Sequence, residues 1–71
     1  MAAVPWKKIE PYFVSAFEAF GQVERQDVID LAFADEASDD EIDAIDAIGS
    51  RVFRTIDDAK AFLAGQNLVN D

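Results

Sequence analysis

Residues 38–49 decide the fold of this chain, and they have the sequence SDDEIDAIDAIG. Ser38 and Glu41 have the spacing of a capping box, in which the Ser38 hydroxyl accepts from the Glu41 backbone N–H and the Glu41 carboxylate accepts from the Ser38 backbone N–H. Apolar residues follow at helical spacing, at Ile42, Ala44, Ile45 and Ile48. Gly49 is a typical helix stop. The segment therefore predicts a short helix with acids in its first turn, where the helix dipole favours negative charge.

Two further helices are predicted on the N-terminal side of this segment. Residues 25–34 place apolar side chains on one side of a helix, at Val28, Ile29, Leu31, Ala32 and Phe33. Residues 11–20 do the same at a spacing of i, i+3, i+4 and i+7, at Phe13, Ala16, Phe17 and Phe20. Pro11 suits the first turn of a helix, and we expect it to break any continuous helix that begins at Trp6.

On the C-terminal side, residues 51–54 alternate polar and apolar side chains, which is typical of an extended connector or a short strand. Thr55 then suits the N-cap of a helix over residues 56–64, and Gly65 its stop. Residues 66–71 form a polar tail that we expect to fray. Together these segments predict one domain over residues 1–71, of all-α class, built as a compact bundle of three or four short helices.

The composition excludes several functional classes. The 71 residues include 15 Asp and Glu, 6 Lys and Arg, no His and no Cys, for a net charge of -9. Without these two residue types there is no default general base near neutral pH, no thiolate nucleophile and no Cys-ligated zinc site. The acid excess argues against direct binding to nucleic acid or to an anionic membrane. We expect a folded, non-enzymatic protein that uses no cofactor.

The expected compartment is the cytoplasm. No apolar run approaches the roughly 18 residues that a membrane span needs, and the first residues lack the charged-then-apolar order of a signal peptide. The absence of Cys fits a reducing environment.

The net charge is confined to one segment. Residues 1–26 and residues 49–71 each contain three acids and three Lys or Arg, so both sum to zero. Residues 27–46 contain no cation and carry the whole charge, on Asp27, Asp30, Asp35, Glu36, Asp39, Asp40, Glu41, Asp43 and Asp46. We expect all of these acids except the capping residue Glu41 to bind a partner.

Helical spacing places Asp39, Asp43 and Asp46 in one row about 10 Å long. Like charges at this spacing repel by a few tenths of a kcal/mol per pair, so the arrangement costs stability in a small domain. One hypothesis is that the acids occupy the phosphate-binding surface of a basic nucleic-acid-binding protein, such as a CRISPR effector, in the manner of a DNA mimic. The alternative is a small cytosolic helical adaptor whose acids only keep it soluble. The sequence leaves the two nearly equal.

Two other chemistries are disfavoured. A calcium loop beginning at Asp35 would need an oxygen ligand at position 37, which is Ala37, and Gly at position 40, which is Asp40. Paired carboxylates could catalyse hydrolysis, but a chain this short has no room for a cleft around exposed acids.

The aromatic residues are predicted to form the core. Five lie on predicted apolar helix sides: Phe13, Phe17, Phe20, Phe33 and Phe62. Trp6 and Tyr12 lie near the N-terminus, close to Lys7 and Lys8. Either residue could serve as a partner-binding anchor. For a single Trp in so small a domain, packing in the core is the expected role.

Residues 27–63 resemble a widespread small bacterial domain of unknown function. That family has an acidic helix after an Ala-Asp cap, a short Arg-aromatic connector and a final capped helix, which here correspond to residues 37–48, 51–54 and 55–63. The chain departs from the family at residues 48–50, where Ile-Gly-Ser replaces the usual Leu-Pro before the Arg. The resemblance implies a helical fold and assigns no activity.

Two weaker resemblances concern function. Residues 53–63 are similar to the last helix of acyl carrier proteins, but the Asp-Ser-Leu tripeptide that bears their phosphopantetheine is missing, and Ser38 is followed by Asp39. By charge profile alone, the chain resembles DNA-mimic inhibitors of phages and mobile elements, including some anti-CRISPR proteins. This second resemblance implies a basic protein partner and is an analogy of charge display.

Overall fold

The computed structural model describes residues 3–70. In chain order its elements are β1 (Val4–Pro5), α1 (Trp6–Phe20), β2 (Val23–Glu24), α2 (Arg25–Ala34), α3 (Asp39–Asp46), β3 (Val52–Phe53), α4 (Ile56–Gly65) and β4 (Val69–Asn70). The described part of the chain is therefore mainly helical, as predicted, with four helices. It is not purely all-α, because short strands pair at two places.

Helix α1 corrects the prediction for Pro11. The helix is continuous from Trp6 to Phe20 and contains Pro11 in its interior. Proline has no N–H for the carbonyl of Lys7, but both residues are exposed, so water can reach that carbonyl. Buried side chains anchor the helix on both sides of the proline, at Trp6, Ile9, Phe13 and Ala16. Burial along one side of α1 therefore outweighs the loss of one backbone hydrogen bond.

The predicted N-caps are confirmed, whereas two predicted stops are wrong: α3 ends at Asp46, three residues before Gly49, and Gly65 is the last residue of α4, with Gln66 as its C-cap. The Ser38 Oγ accepts from the Glu41 backbone N–H at 3.2 Å, and the Glu41 Oε1 accepts from the Ser38 N–H at 2.8 Å. The Thr55 Oγ1 accepts from the Asp58 backbone N–H at 3.1 Å and begins α4. Gly21 ends α1 in the left-handed conformation, with φ 75°, and its N–H donates to the Phe17 carbonyl at 2.7 Å.

The strands join distant parts of the chain. Strand β2 pairs antiparallel with β3, in the register Val23 with Phe53 and Glu24 with Val52, so the extended segment predicted at 51–54 is a short strand. Strand β1 pairs in parallel with β4, with Val4 opposite Val69. The expectation of a frayed tail is thus wrong for residues 69–70, because Val69 is buried against the core, and residue 71 lies outside the described residues.

The core lies between α1, α4 and the inner sides of α2 and α3. Its buried side chains are Val4, Trp6, Ile9, Phe13, Ala16, Val23, Val28, Ile29, Ala32, Ala44, Ile45, Ile48, Ala59, Leu63 and Val69. The rings of Trp6 and Phe13 pack with their centroids 5.1 Å apart, which confirms the expected packing role of Trp6. Phe53 and Phe62 make a second ring pair at 5.7 Å.

The predicted core position is wrong for two aromatic residues. Phe20 is 60% exposed and Phe33 is 63% exposed. Phe20 has the same angular position as the buried residues of α1, but it is the last residue of the helix and extends past the core. Phe33 lies about 40° around α2 from buried Ile29 and about 100° from buried Ala32, so it is at the edge of the buried side, and its ring is mainly in solvent. Of the others, Phe13 is buried, and Phe17 and Phe62 are partly buried.

Candidate functional site

Helices α2 and α3 form an antiparallel hairpin with a connection of four residues. Arg25, the first residue of α2, donates from Nη1 to the Asp46 Oδ1 of α3 at 2.8 Å. The start of α2 therefore lies beside the end of α3. The ion pair also changes the sequence-based description of residues 27–46 as a segment without cations. Arg25 lies just outside this segment, but its side chain contacts an acid within it.

Three of the predicted partner-binding acids form one row on the outside of α3. Asp39, Asp43 and Asp46, which we call the acidic stripe, are all exposed, whereas Ala44 and Ile45 on the other side of the helix are buried. Within residues 3–70, Asp39 and Asp43 make no side-chain hydrogen bond or ion pair. The predicted geometry of the row is confirmed, and two of its three carboxylates are open to an incoming cation.

Helix α2 carries two acids that differ in exposure. Asp30 is exposed and its Oδ1 accepts from the Gln26 Nε2 at 2.8 Å. Asp27 lies three residues earlier, about 60° around the axis, and is half-buried. Asp30 therefore adds an exposed negative charge to the hairpin, whereas the charge of Asp27 is partly covered.

The connection between α2 and α3 carries Asp35 and Glu36, which are both exposed. Tyr12 of α1 donates its hydroxyl to the Asp35 Oδ2 at 2.7 Å, and so ties the connection to the first helix. This hydrogen bond, with smaller contributions from burial and from the negative charges of Asp35 and Glu41, raises the pKa of Tyr12 from 10.0 to about 12. Asp35 is therefore already engaged within the protein, while Glu36 is directed to solvent.

Asp40 belongs to a different surface from the acidic stripe. It lies about 100° around α3 from Asp39 and borders a groove between the start of α3 and the N-terminal strand. The groove has a volume of about 370 Å³ and is lined by Ala3, Val4, Pro5, Lys8, Ser38, Asp40 and Glu41. Lys8 puts a cation into this groove, so Asp40 shares its surroundings with a positive charge.

The eight predicted site residues thus divide into three groups. Asp30, Asp39, Asp43 and Asp46 lie on the outer side of the hairpin, and Asp35 and Glu36 lie at its tip. Asp27 is half-buried on α2, and Asp40 borders the groove beside β1. The segregation of charge along the sequence suggested one shared site for all eight acids. It records the position of each acid along the chain and not its direction around a helix.

Sequence reasoning missed two residues on this surface. Arg25 was counted with the neutral N-terminal segment, although its position at the first turn of α2 could have suggested contact with α3. Phe33 was assigned to the core, although its helical position, about 100° beyond Ala32, could have suggested the edge of the buried side. Both residues modify a surface that charge alone described as uniformly acidic.

Within residues 3–70, no group of three or more Asp or Glu side chains is arranged to hold a metal ion. Among the same residues, no helix has the length and apolar character needed to cross a bilayer.

Comparisons with known proteins add no relative. A scan against protein-family models, a search of curated proteins and a search of solved structures each find no match to this chain. What the protein does is therefore inferred from the surface of the α2–α3 hairpin.

Proposed function

We propose that the protein is a non-enzymatic acidic interaction protein that lays the outer side of the α2–α3 hairpin on a basic nucleic-acid-binding surface of a partner. In this role it is a DNA-mimic type of inhibitor, and a CRISPR effector is one example of a suitable partner. The observation that supports this proposal most directly is the exposed acidic stripe of Asp39, Asp43 and Asp46. Asp30 of α2 extends the same negative surface.

The spacing of the stripe suits a protein that grips phosphates. Its carboxylates are separated along the helix axis by about 6 Å and about 4.5 Å, at 1.5 Å per residue. Phosphates along one DNA strand are about 3.4 Å apart, so the stripe offers a sparser field of the same sign. Because α3 is held by a capping box and packed through Ala44 and Ile45, the carboxylates start from fixed backbone positions. Lys and Arg side chains of a partner would contact these carboxylates, and the stripe offers no bases for the partner to recognise.

The test compares two variants with the same change in net charge. Asp39→Lys with Asp43→Lys reverses the stripe, whereas Glu18→Lys with Asp57→Lys reverses two exposed acids outside the hairpin. A partner is first captured from host cells with the wild-type protein and purified, and its DNA binding is then measured in competition. We expect the stripe variant to lose competition and the control variant to keep it.

Salt dependence provides a second readout. Electrostatic occupation of a phosphate site predicts affinity that falls steeply between about 50 and about 200 mM salt. If the two charge-reversed variants compete equally well, the stripe is not the contact surface and the proposal is wrong.

The groove beside β1 favours a second candidate function, that of a helical adaptor. Val4 and Pro5 give this groove an apolar wall, and Lys8 and Glu41 border it. An adaptor that binds an apolar segment there would keep its affinity as salt rises, and reversal of the acidic stripe would leave binding unchanged. The same competition and salt experiments therefore separate the two candidates.

A further inference from the structure

Phe33 is a large apolar side chain that the fold leaves in water. It is 63% exposed, and it shares the outer side of α2 with Asp30, one turn earlier, and Gln26, two turns earlier. The core does not use its ring, because α2 packs through Val28, Ile29 and Ala32. The ring is therefore available for a contact that lies outside the chain.

Carboxylates border Phe33 on several sides. Asp30 is one turn back along α2, and Glu36 donates its backbone N–H to the Phe33 carbonyl at 3.1 Å. Because the hairpin is antiparallel, the end of α2 lies level with the start of α3, where Asp39 begins the acidic stripe. Phe33 therefore lies in the acidic part of the hairpin.

We propose that Phe33 is the anchor with which the hairpin binds a partner protein, by entering an apolar pocket whose rim carries Lys or Arg. The inference rests on the proposed function, since it names the chemistry of the partner for the same surface. An apolar centre with a charged rim is the usual arrangement of a protein interface, and aromatic side chains are frequent anchors in such centres.

Charge complementarity decides the occupant. Nucleic acid would bring phosphates against Asp30 and Asp39, and a second copy of this chain would bring acids against acids. A basic protein surface is attracted by the rim and covers the ring at the same time. Arg also stacks on aromatic faces, which allows one residue type to satisfy both parts of the site.

The test uses two synthetic probes of equal charge. One is an amphipathic helical peptide with Leu and Trp on one side, bordered by Lys, and the other is an oligolysine. Binding of each is measured by calorimetry, and the binding site is mapped by NMR. We expect the amphipathic peptide to bind about tenfold more tightly than oligolysine, with the largest NMR shifts at Asp30, Phe33 and Asp39.

Phe20 provides the matched control for this experiment. It is 60% exposed, nearly the same as Phe33, but it ends α1 in a part of the chain with no net charge. Phe33→Ala should remove the tenfold preference and leave oligolysine binding unchanged, whereas Phe20→Ala should change neither. Because both rings are mainly in water, both variants should unfold at the wild-type temperature.

Several results would overturn the anchor. It is wrong if Phe33→Ala keeps the preference, if Phe20→Ala loses it equally, or if Phe33→Ala unfolds at a clearly lower temperature, because the ring would then serve packing. A dimer that Phe33→Ala dissolves would show that the occupant is a second copy. A different result would show that the proposed function is wrong: oligolysine would then bind the stripe-reversed variant with the same affinity as it binds the wild type.

Discussion

We call the part of the molecule formed by α1, α4 and the β1–β4 pair the helical body. It differs from the α2–α3 hairpin in the charge of its outer surface. In the helical body, acids and cations are both present and sum to nearly zero, and the two largest buried side chains, Trp6 and Phe13, are here. The hairpin adds Val28, Ile29 and Ile45 to the core, and its outside is acidic. The difference teaches that stability and surface chemistry are separable in this chain, so each can be changed with limited effect on the other.

The strongest test of this separation is Phe13→Ala in the helical body. Phe13 is fully buried against Trp6, and truncation of such a residue costs about 3–5 kcal/mol. A domain of this length has only about 4–10 kcal/mol of unfolding free energy, so the variant should be largely unfolded or close to it. Urea unfolding followed by Trp fluorescence measures the loss. Phe20→Ala, in the same helix, should change stability by less than about 0.5 kcal/mol. Similar losses in the two variants would contradict the buried position of Phe13.

The helix caps sharpen the comparison, because each region has one. Ser38→Ala in the hairpin and Thr55→Ala at the start of α4 should each cost about 1 kcal/mol, since each hydroxyl accepts from a backbone N–H three residues later. Chemical denaturation measures both, with Ser50→Ala as an exposed control outside the helices. A much smaller loss for Ser38→Ala would mean that α3 does not depend on its cap.

Tyr12 joins the two regions, and its effect should depend on pH. Tyr12→Phe removes the hydrogen bond to Asp35 and should cost about 0.5–1 kcal/mol at neutral pH. Because folding raises the pKa of this phenol to about 12, the protonated form is favoured in the folded state. The stabilisation is therefore complete below the ordinary pKa of 10.0 and is lost as pH rises through about 12.

Denaturation of wild type and Tyr12→Phe at a series of pH values checks this sign. The difference between them should be constant up to about pH 9 and shrink above pH 10. Absorbance titration of the tyrosinate is a direct control, since the sequence contains one Tyr. A pKa near 10 in the folded protein would exclude the link between α1 and the hairpin tip.

The smallest expected effect has the opposite sign. Asp43→Asn removes a charge that is repelled by Asp39 and Asp46, so stability should rise by about 0.2–0.5 kcal/mol at low salt. The gain should disappear in high salt, where exposed charges are screened. Asp57→Asn in the first turn of α4 is the matched control and should lose stability, because the helix dipole favours an acid there. A gain in both variants would mean that net charge, and not the stripe, controls stability.

Local signals predicted much of the fold. The bounds of α2 follow from the spacing of its apolar residues, and the capping box at Ser38 and the start of α4 after Thr55 follow from side chains within four residues of the helix start. The prediction that Pro11 breaks the first helix is wrong because the preference of proline for a first turn is a local effect. The helix is stabilised by the burial of Trp6 and Phe13 on either side of Pro11. Local rules are sufficient where no distant contact competes with them.

Distant contacts account for the rest. The pairing of Val4 with Val69 and the ion pair of Arg25 with Asp46 join residues that no short-range pattern connects. The candidate site was predicted in composition but not in geometry, because packing against neighbouring elements leaves Asp27 half-buried and places Asp40 beside the groove. Phe33 shows the same limit, since an apolar residue at the border of a helix stripe can turn either way.

The parallel pairing of β1 with β4 has a consequence for the order of folding. Val4 and Val69 are separated by almost the whole chain, so their contact closes the largest loop in the molecule. We expect this contact to form after the rate-limiting step, so that Val4→Ala and Val69→Ala speed unfolding and leave the folding rate nearly unchanged. Stopped-flow kinetics in urea measures both rates. Since Ala3, Val4 and Pro5 also line the groove beside α3, that groove would be the last part of the surface to be completed.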